Sequence, residues 1–137
     1  MERRTKFKVA SVHASPVFLD LDATVEKACA LIDEAGRNGA KITAFPEVYI
    51  PGYPYWIWTH TPITGAPLFV RLYKNAVEIP GDATKRIGEA AKRAGSYVVM
   101  GATERDGGTL YNTLIYFSDD GTVMGRHRKL VPTACLT

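Results

Sequence analysis

The stretch Gly39-Ala40-Lys41-Ile42-Thr43-Ala44-Phe45-Pro46-Glu47 decides how this chain folds. Ile42 to Phe45 is an apolar run too short for a helix and rich in β-forming residues, which reads as a buried parallel strand. It stops at Pro46-Glu47. Upstream, Val25, Ala28, Cys29, Ile32 and Ala35 recur at helical spacing, so a helix runs from Ala23, with Asp22 as its N-cap and Gly36 or Gly39 at its end. Before it, Phe7 to His13 alternates in the strand period and reads as a strand in a mostly buried environment.

Downstream of Glu47 the chain turns irregular and aromatic. Val48 to Pro67 holds Tyr49, Tyr53, Tyr55, Trp56 and Trp58 among prolines at 51, 54, 62 and 67, which describes a compact functional loop. Pro67 suits the first turn of a helix to about Val77, and a second helix runs from Thr84 to Ala94, closed by Gly95. Tyr97 to Thr103, Leu110 to Phe117 and Thr122 to Met124 read as strands joined by Asp106-Gly107-Gly108 and Asp119-Asp120-Gly121. The order β-α-β-loop-α-α-β-β-β predicts an α/β layered domain with a mixed sheet.

Length and composition fit one globular domain: 137 residues, 46% hydrophobic and 23% charged. The formal charge of +3 comes from scattered short runs, which argues against nucleic acid as a partner. No stretch approaches the roughly 18 apolar residues of a membrane span, and Met1 to Lys8 lacks the apolar core of a secretory signal, so a cytoplasmic protein is expected. Two cysteines, Cys29 and Cys135, then read as reduced thiols. Neither a Cys-x-x-Cys pair nor clustered histidine supports a metal site, and no glycine spacing supports a nucleotide, so neither metal nor cofactor is expected.

Glu47 is the most suggestive residue, because open α/β sheets place their ligand crevice at the carboxyl ends of parallel strands. Among Phe45, Pro46, Tyr49 and Tyr53 it would be partly desolvated, which raises a carboxylate toward the range of a general base. The competing reading is a turn-capping or surface-paired Glu. Lys129 closes the basic run Arg126-His127-Arg128-Lys129, which by itself reads as a solvated loop. In an extended chain, however, Lys129 and His127 share one side and Arg128 takes the other, so Lys129 can face inward toward an anionic partner, with Glu47 the candidate. The aromatic cluster reads as core, partner patch or pocket wall. Cys29, on the apolar stripe of the first helix, reads as core.

Ala44-Phe45-Pro46-Glu47, followed by Ile50-Pro51-Gly52-Tyr53-Pro54-Tyr55-Trp56-Ile57-Trp58, resembles the first signature of the nitrilases in the carbon-nitrogen hydrolase superfamily. Val99-Met100-Gly101-Ala102-Thr103-Glu104-Arg105, Thr109-Leu110-Tyr111-Asn112-Thr113 and Gly125-Arg126-His127-Arg128-Lys129-Leu130-Val131-Pro132-Thr133 resemble its next segments, in order. The resemblance runs from about Lys6 to Thr133. It implies part of a four-layer α-β-β-α sandwich and a nitrilase-type hydrolase that converts a nitrile to a carboxylic acid and ammonia without a cofactor. It assigns Glu47 as general base, Lys129 as the cation that stabilises developing negative charge, and Tyr53 as a substrate-lining aromatic. It also implies a homo-oligomer.

The sequence departs from the family pattern at its end. Nitrilases continue with a second Glu and a Cys-Trp-Glu nucleophile motif, and neither is present in this chain. Residues 1–137 are therefore expected to form a single domain truncated at its C-terminal side, with 134–137 as an atypical tail and no nucleophile of its own; Cys135 is not given that role. The alternative is a non-catalytic fragment that at most associates with full-length subunits.

Overall fold

The computed structural model describes residues 6–131, in the order β1 (Lys8–Ser11), α1 (Leu21–Arg37), β2 (Ala40–Ala44), a 3-10 turn (Tyr55–Trp58), α2 (Pro62–Lys74), α3 (Asp82–Ala94), β3 (Tyr97–Asp106), β4 (Thr109–Phe117) and β5 (Val123–Arg128). The five strands form one mixed sheet in the order β1-β2-β3-β4-β5. The first two pairings are parallel and the last two antiparallel. The expected element order and α/β class are both observed.

One face of the sheet is covered and the other is open. Val98, Met100, Ala102, Ile115 and Phe117 point from β3 and β4 into a core completed by Val25, Ala28 and Ile32 of α1 and Ile87, Ala90 and Ala91 of α3. Gly36 fits against Ala94 with no room for a side chain, which lets the two helices meet closely. On the opposite face lie Val9, Ile42, Tyr97, Val99, Leu114 and Tyr116, none of them fully buried. A smaller cluster of Leu19, Trp56 and Leu72 ties the 3-10 turn and α2 to the chain before α1.

Several boundaries differ from those expected. Strand β1 is an edge strand and largely exposed, with Val9 at 65%, because among the described residues it has a neighbour on one side only and nothing covers its open face. The N-cap of α1 is Asp20, whose Oδ1 accepts from the Ala23 N–H at 3.0 Å, and Asp22 sits inside the first turn. The helix runs to Arg37, and Gly39 takes the left-handed φ of +82° that turns the chain into β2. Helix α2 starts five residues earlier than Pro67, at Pro62, because Thr61 supplies an N-cap hydroxyl to the Thr64 N–H; Pro67 lies inside the helix. The last strand reaches Arg128 rather than ending at Met124. The expected tail 134–137, with Cys135, lies outside the described residues.

The chain after β2 is what positions the site. The Phe45 N–H donates to the Val99 carbonyl, the Ile50 N–H donates to the Gly101 carbonyl, and the Thr103 N–H donates to Ile50. Residues 46–49 thus leave the β3 ladder and rejoin it one register step later, crossing over Gly101. A Cβ there would stand 2.0 Å from the Pro46 carbonyl oxygen and 2.9 Å from the Glu47 Cα. Both obstacles are backbone, so they cannot swing aside. Gly101→Ala should therefore cost about 1–3 kcal/mol of stability, the range for overpacking a filled site, read as a lower urea midpoint. Gly125→Ala on β5, where an added Cβ meets none of the described residues within 4 Å, should leave the midpoint unchanged.

Candidate active site

Glu47 sits at the crest of that crossing, followed by Val48 in the left-handed region at φ +51°. A β-branched residue there is strained by about 1–3 kcal/mol, and it stays because its neighbours fix it: Val48, Tyr49 and Ile50 are all buried. Tyr49 packs against Phe45 with ring centroids 5.0 Å apart and planes inclined by 57°, and its hydroxyl donates to the Ser15 carbonyl at 3.4 Å. The carboxylate is therefore held on a rigid, strained crest.

Two donors converge on one oxygen of Glu47. The Lys129 ammonium donates to Oε1 at 2.7 Å, and the Asn112 side-chain amide donates to the same atom at 2.6 Å. Asn112 on β4 faces Lys129 across the ladder, and the Lys129 backbone N–H also donates to the Asn112 carbonyl at 2.8 Å. One residue thus sets both the backbone and the side-chain geometry of the pair. Among the described residues no hydrogen bond is made to Oε2 of Glu47, which leaves that oxygen to water or a ligand.

The contact with Lys129, then that with Asn112, holds the Glu47 carboxyl below its ordinary pKa. This reverses the expected upward shift. The side chain is half exposed and desolvation is the lesser effect, so the hydrogen bonds to the ionised form win. Because both partners are more than a third exposed, the ion pair adds little to stability. Its importance is positional.

Glu47 stands on the boundary between two clefts. One, of about 300 Å³, is lined by Glu47, Asn112, Leu114, His127 and Lys129. The other, of about 470 Å³, is lined by His13, Ser15, Pro46, Glu47, Tyr49, Tyr53 and Tyr55 among others. Glu47 and Lys129 are thus brought together, while Tyr53 lies on the far side of Glu47, half-buried with its ring 5.1 Å from that of Tyr55. Cys29 is on the opposite face of the sheet, packed in the helical layer with its thiol against the Arg86 carbonyl at 3.6 Å. Burial pushes that thiol's pKa up, away from nucleophilic chemistry. Among the described residues no group of three or more His, Cys, Asp and Glu side chains could hold a metal ion.

Two residues escaped the reading of motifs alone. Asn112 is one, although its place two residues before Leu114 on an alternating strand put it on the Lys129 face. Glu104 is the other. It is fully buried on the covered face, where both its oxygens are bonded by Thr113, Arg126 and Arg128.

The sequence pattern of carbon-nitrogen hydrolases matches residues 8–134. The chain belongs to the carbon-nitrogen hydrolase family. It is 49% identical over 133 residues to a nitrilase from Bacillus sp. (strain OxB-1), spanning 97% of this chain and 39% of that protein. It is 45% identical over 134 residues to an aliphatic nitrilase from Rhodococcus rhodochrous, spanning 97% of this chain and 37% of the relative. A cyanide hydratase from Stereum hirsutum is 41% identical over 129 residues, 94% of this chain and 35% of the hydratase. The chain therefore spans about two fifths of the length of these relatives. The crystal structure of an amidase from Nesterenkonia sp. superposes with a TM-score of 0.68 at 15% identity, over 97% of this chain and 46% of the amidase, which shows the carbon-nitrogen hydrolase fold.

The electrostatics of the pair are open to direct measurement. A carbon-13 titration should place the Glu47 carboxyl below the ordinary glutamate value of about 4.3. Lys129→Met should raise it toward that value, and Asn112→Ala should raise it less. Because the folded pKa is the depressed one, the contact stabilises above the unfolded-state pKa and is lost as pH falls through the folded one. Wild type and Lys129→Met should thus differ in stability more at pH 7 than at pH 3. Identical Glu47 titrations in the two proteins would contradict the contact.

Proposed function

We propose that this chain supplies the base and the cation of a site that hydrolyses nitriles to carboxylic acids and ammonia. The observation that carries the reading is the convergence of Lys129 and Asn112 on one oxygen of Glu47, with the other oxygen free of partners among the described residues. The 38–49% identity to proteins named nitrilases, across nearly the whole of this chain, supports nitriles as the substrate class.

A nitrile carbon is a weak electrophile, so it calls for a soft, strong nucleophile, a base to generate it and a cation where charge grows on nitrogen. Glu47 takes the proton of an attacking thiol, the thiolate adds to the nitrile carbon, and the nitrogen accepts a proton to give a thioimidate. Water, activated by the same carboxylate, then adds; ammonia departs and leaves a thioester, which a second water cleaves to the acid and the free thiol. Lys129 neutralises the charge that grows on nitrogen and then on oxygen. As its ammonium shifts from Glu47 toward that charge, the depression of the carboxyl's pKa relaxes and Glu47 becomes the better base. Tyr53 lines the cleft on the other side of Glu47 and contacts the substrate's organic group. No metal or cofactor takes part.

The thiol is not assigned to Cys29, the one cysteine among the described residues, which lies on the wrong face of the sheet. We assign it to residues that complete the family fold beyond those described. The open face of Val9, Tyr97, Leu114 and Tyr116 supports further layers and a homo-oligomer. The free Cys29 thiol suits a reducing, cytoplasmic setting. Among the described residues no helix is long and apolar enough to cross a membrane.

Ammonia release from aliphatic and aromatic nitriles tests the reading, in the enzyme that contains this segment and its thiol. Glu47→Gln should lower turnover by about 10²–10⁴-fold and Lys129→Met by about 10²–10³-fold, with the fold intact. Full activity in either variant would overturn the assignment. A folded wild-type protein that releases no ammonia but binds complete subunits would favour a purely associating role.

A further inference from the structure

Strand β5 carries Lys129 to the site, yet little apolar packing tells it where to stop. Among the described residues it is an outer strand of the sheet, paired only with β4, and all of its residues are exposed except the half-buried Arg128. A sheet strand without a buried apolar face has a weakly specified register, and a slip of one residue turns every side chain to the other face. Such a slip would send Lys129 toward the helices. A slip of two would put His127 opposite Asn112 instead.

The Ser118–Thr122 turn sets the register where the hairpin begins; beyond the irregularity at Tyr116/Phe117, the contacts that hold the far end in step are on the covered face. Glu104 is fully buried, and its oxygens take the Thr113 hydroxyl at 2.7 Å, Arg126 at 2.8 Å and two arms of Arg128 at 2.6 and 3.0 Å. Arg128 also bonds Asp106 at 2.6 Å and lies 3.7 Å above the centre of the Tyr111 ring. Burial alone would raise the Glu104 carboxyl's pKa, but Arg128, Thr113 and Arg126 outweigh it and hold the pKa down, so the buried charge stays. A buried carboxylate left unpaired is costly, and only an arginine presents a planar fork to it. Arg126 and Arg128 are spaced two apart, so both reach Glu104 only in the observed register, which turns the intervening His127 and the following Lys129 to the open face.

We propose that Glu104 is a positioning residue: through Arg126 and Arg128 it locks the register of β5 and so aims Lys129 at Glu47 from the opposite face of the sheet. Its effect on turnover rests on the nitrile-hydrolysing reading; the lock itself does not.

The test uses the 137-residue chain with Glu104→Gln, Arg128→Lys and Arg126→Gln, read by amide hydrogen exchange and by the carbon-13 titration of Glu47. The third change is at a part-exposed side chain and keeps the fold if the first two do not. Protection of the Lys129 amide should fall by about tenfold or more while β3–β4 amides keep theirs, and the Glu47 pKa should rise toward the ordinary value. Arg126→Gln should give the same changes at smaller amplitude. A folded variant with wild-type Lys129 protection and Glu47 titration would overturn the proposal. The outcomes separate from those of the functional reading: shifted readouts in a protein that hydrolyses no nitrile remove only the reading, and unshifted ones in an active enzyme remove only the lock.

Discussion

Between Val99 and Gly101, strand β3 bonds the chain on both sides of the 46–49 crossing, and that pair of anchors governs the site. With no side chain at Gly101, the Pro46 peptide can lie directly on β3 and lift Glu47 above the open face. The same strand continues into Glu104 and Asp106, which grip β5 from the covered face. One strand therefore sets the height of the carboxylate and the register of the lysine that meets it.

Two kinds of electrostatics are divided between the two faces. On the covered face a buried carboxylate is matched by two arginines and a hydroxyl, a geometry that is rigid because leaving any member unpaired is expensive. On the open face Glu47 and Lys129 keep substantial access to solvent, so their attraction is weak enough to be redistributed when charge develops nearby. A rigid buried network behind a labile exposed pair suits the proposed reaction, in which the ammonium shifts from its carboxylate toward developing charge. The strained Val48 fits the same division, since its cost is borne by the packed Phe45, Tyr49 and Ile50 around it.

Periodicity and punctuation made the element order legible, and the alternation of Arg126 to Lys129 was enough to place Lys129 opposite Arg128 and toward Glu47. The buried strand ending at Pro46-Glu47 marked the crest on which Glu47 meets Lys129. What could not be read locally was long-range. The burial of β1 depends on a layer that this strand does not meet, and the direction of the Glu47 pKa shift depends on Lys129 and Asn112, 82 and 65 positions away. Pro67 suited a helix start, but the Thr61 hydroxyl sets that start at Pro62. Glu104 lies just past the end of the strand expected over Tyr97 to Thr103, which in fact continues to Asp106; its meaning lies in a carboxylate and two arginines meeting across three strands.

That Lys129 and Asn112 meet at one carboxylate oxygen of Glu47 is tested most directly by proton–proton Overhauser contacts in solution. The Lys129 ε-methylene and the Asn112 side-chain amide should each show cross-peaks to the Glu47 γ-methylene, because their donor atoms lie 2.7 and 2.6 Å from its oxygen. Lys129 contacts to Ile115 or Ile79 on the covered face, with none to Glu47, would contradict the register and the site built on it.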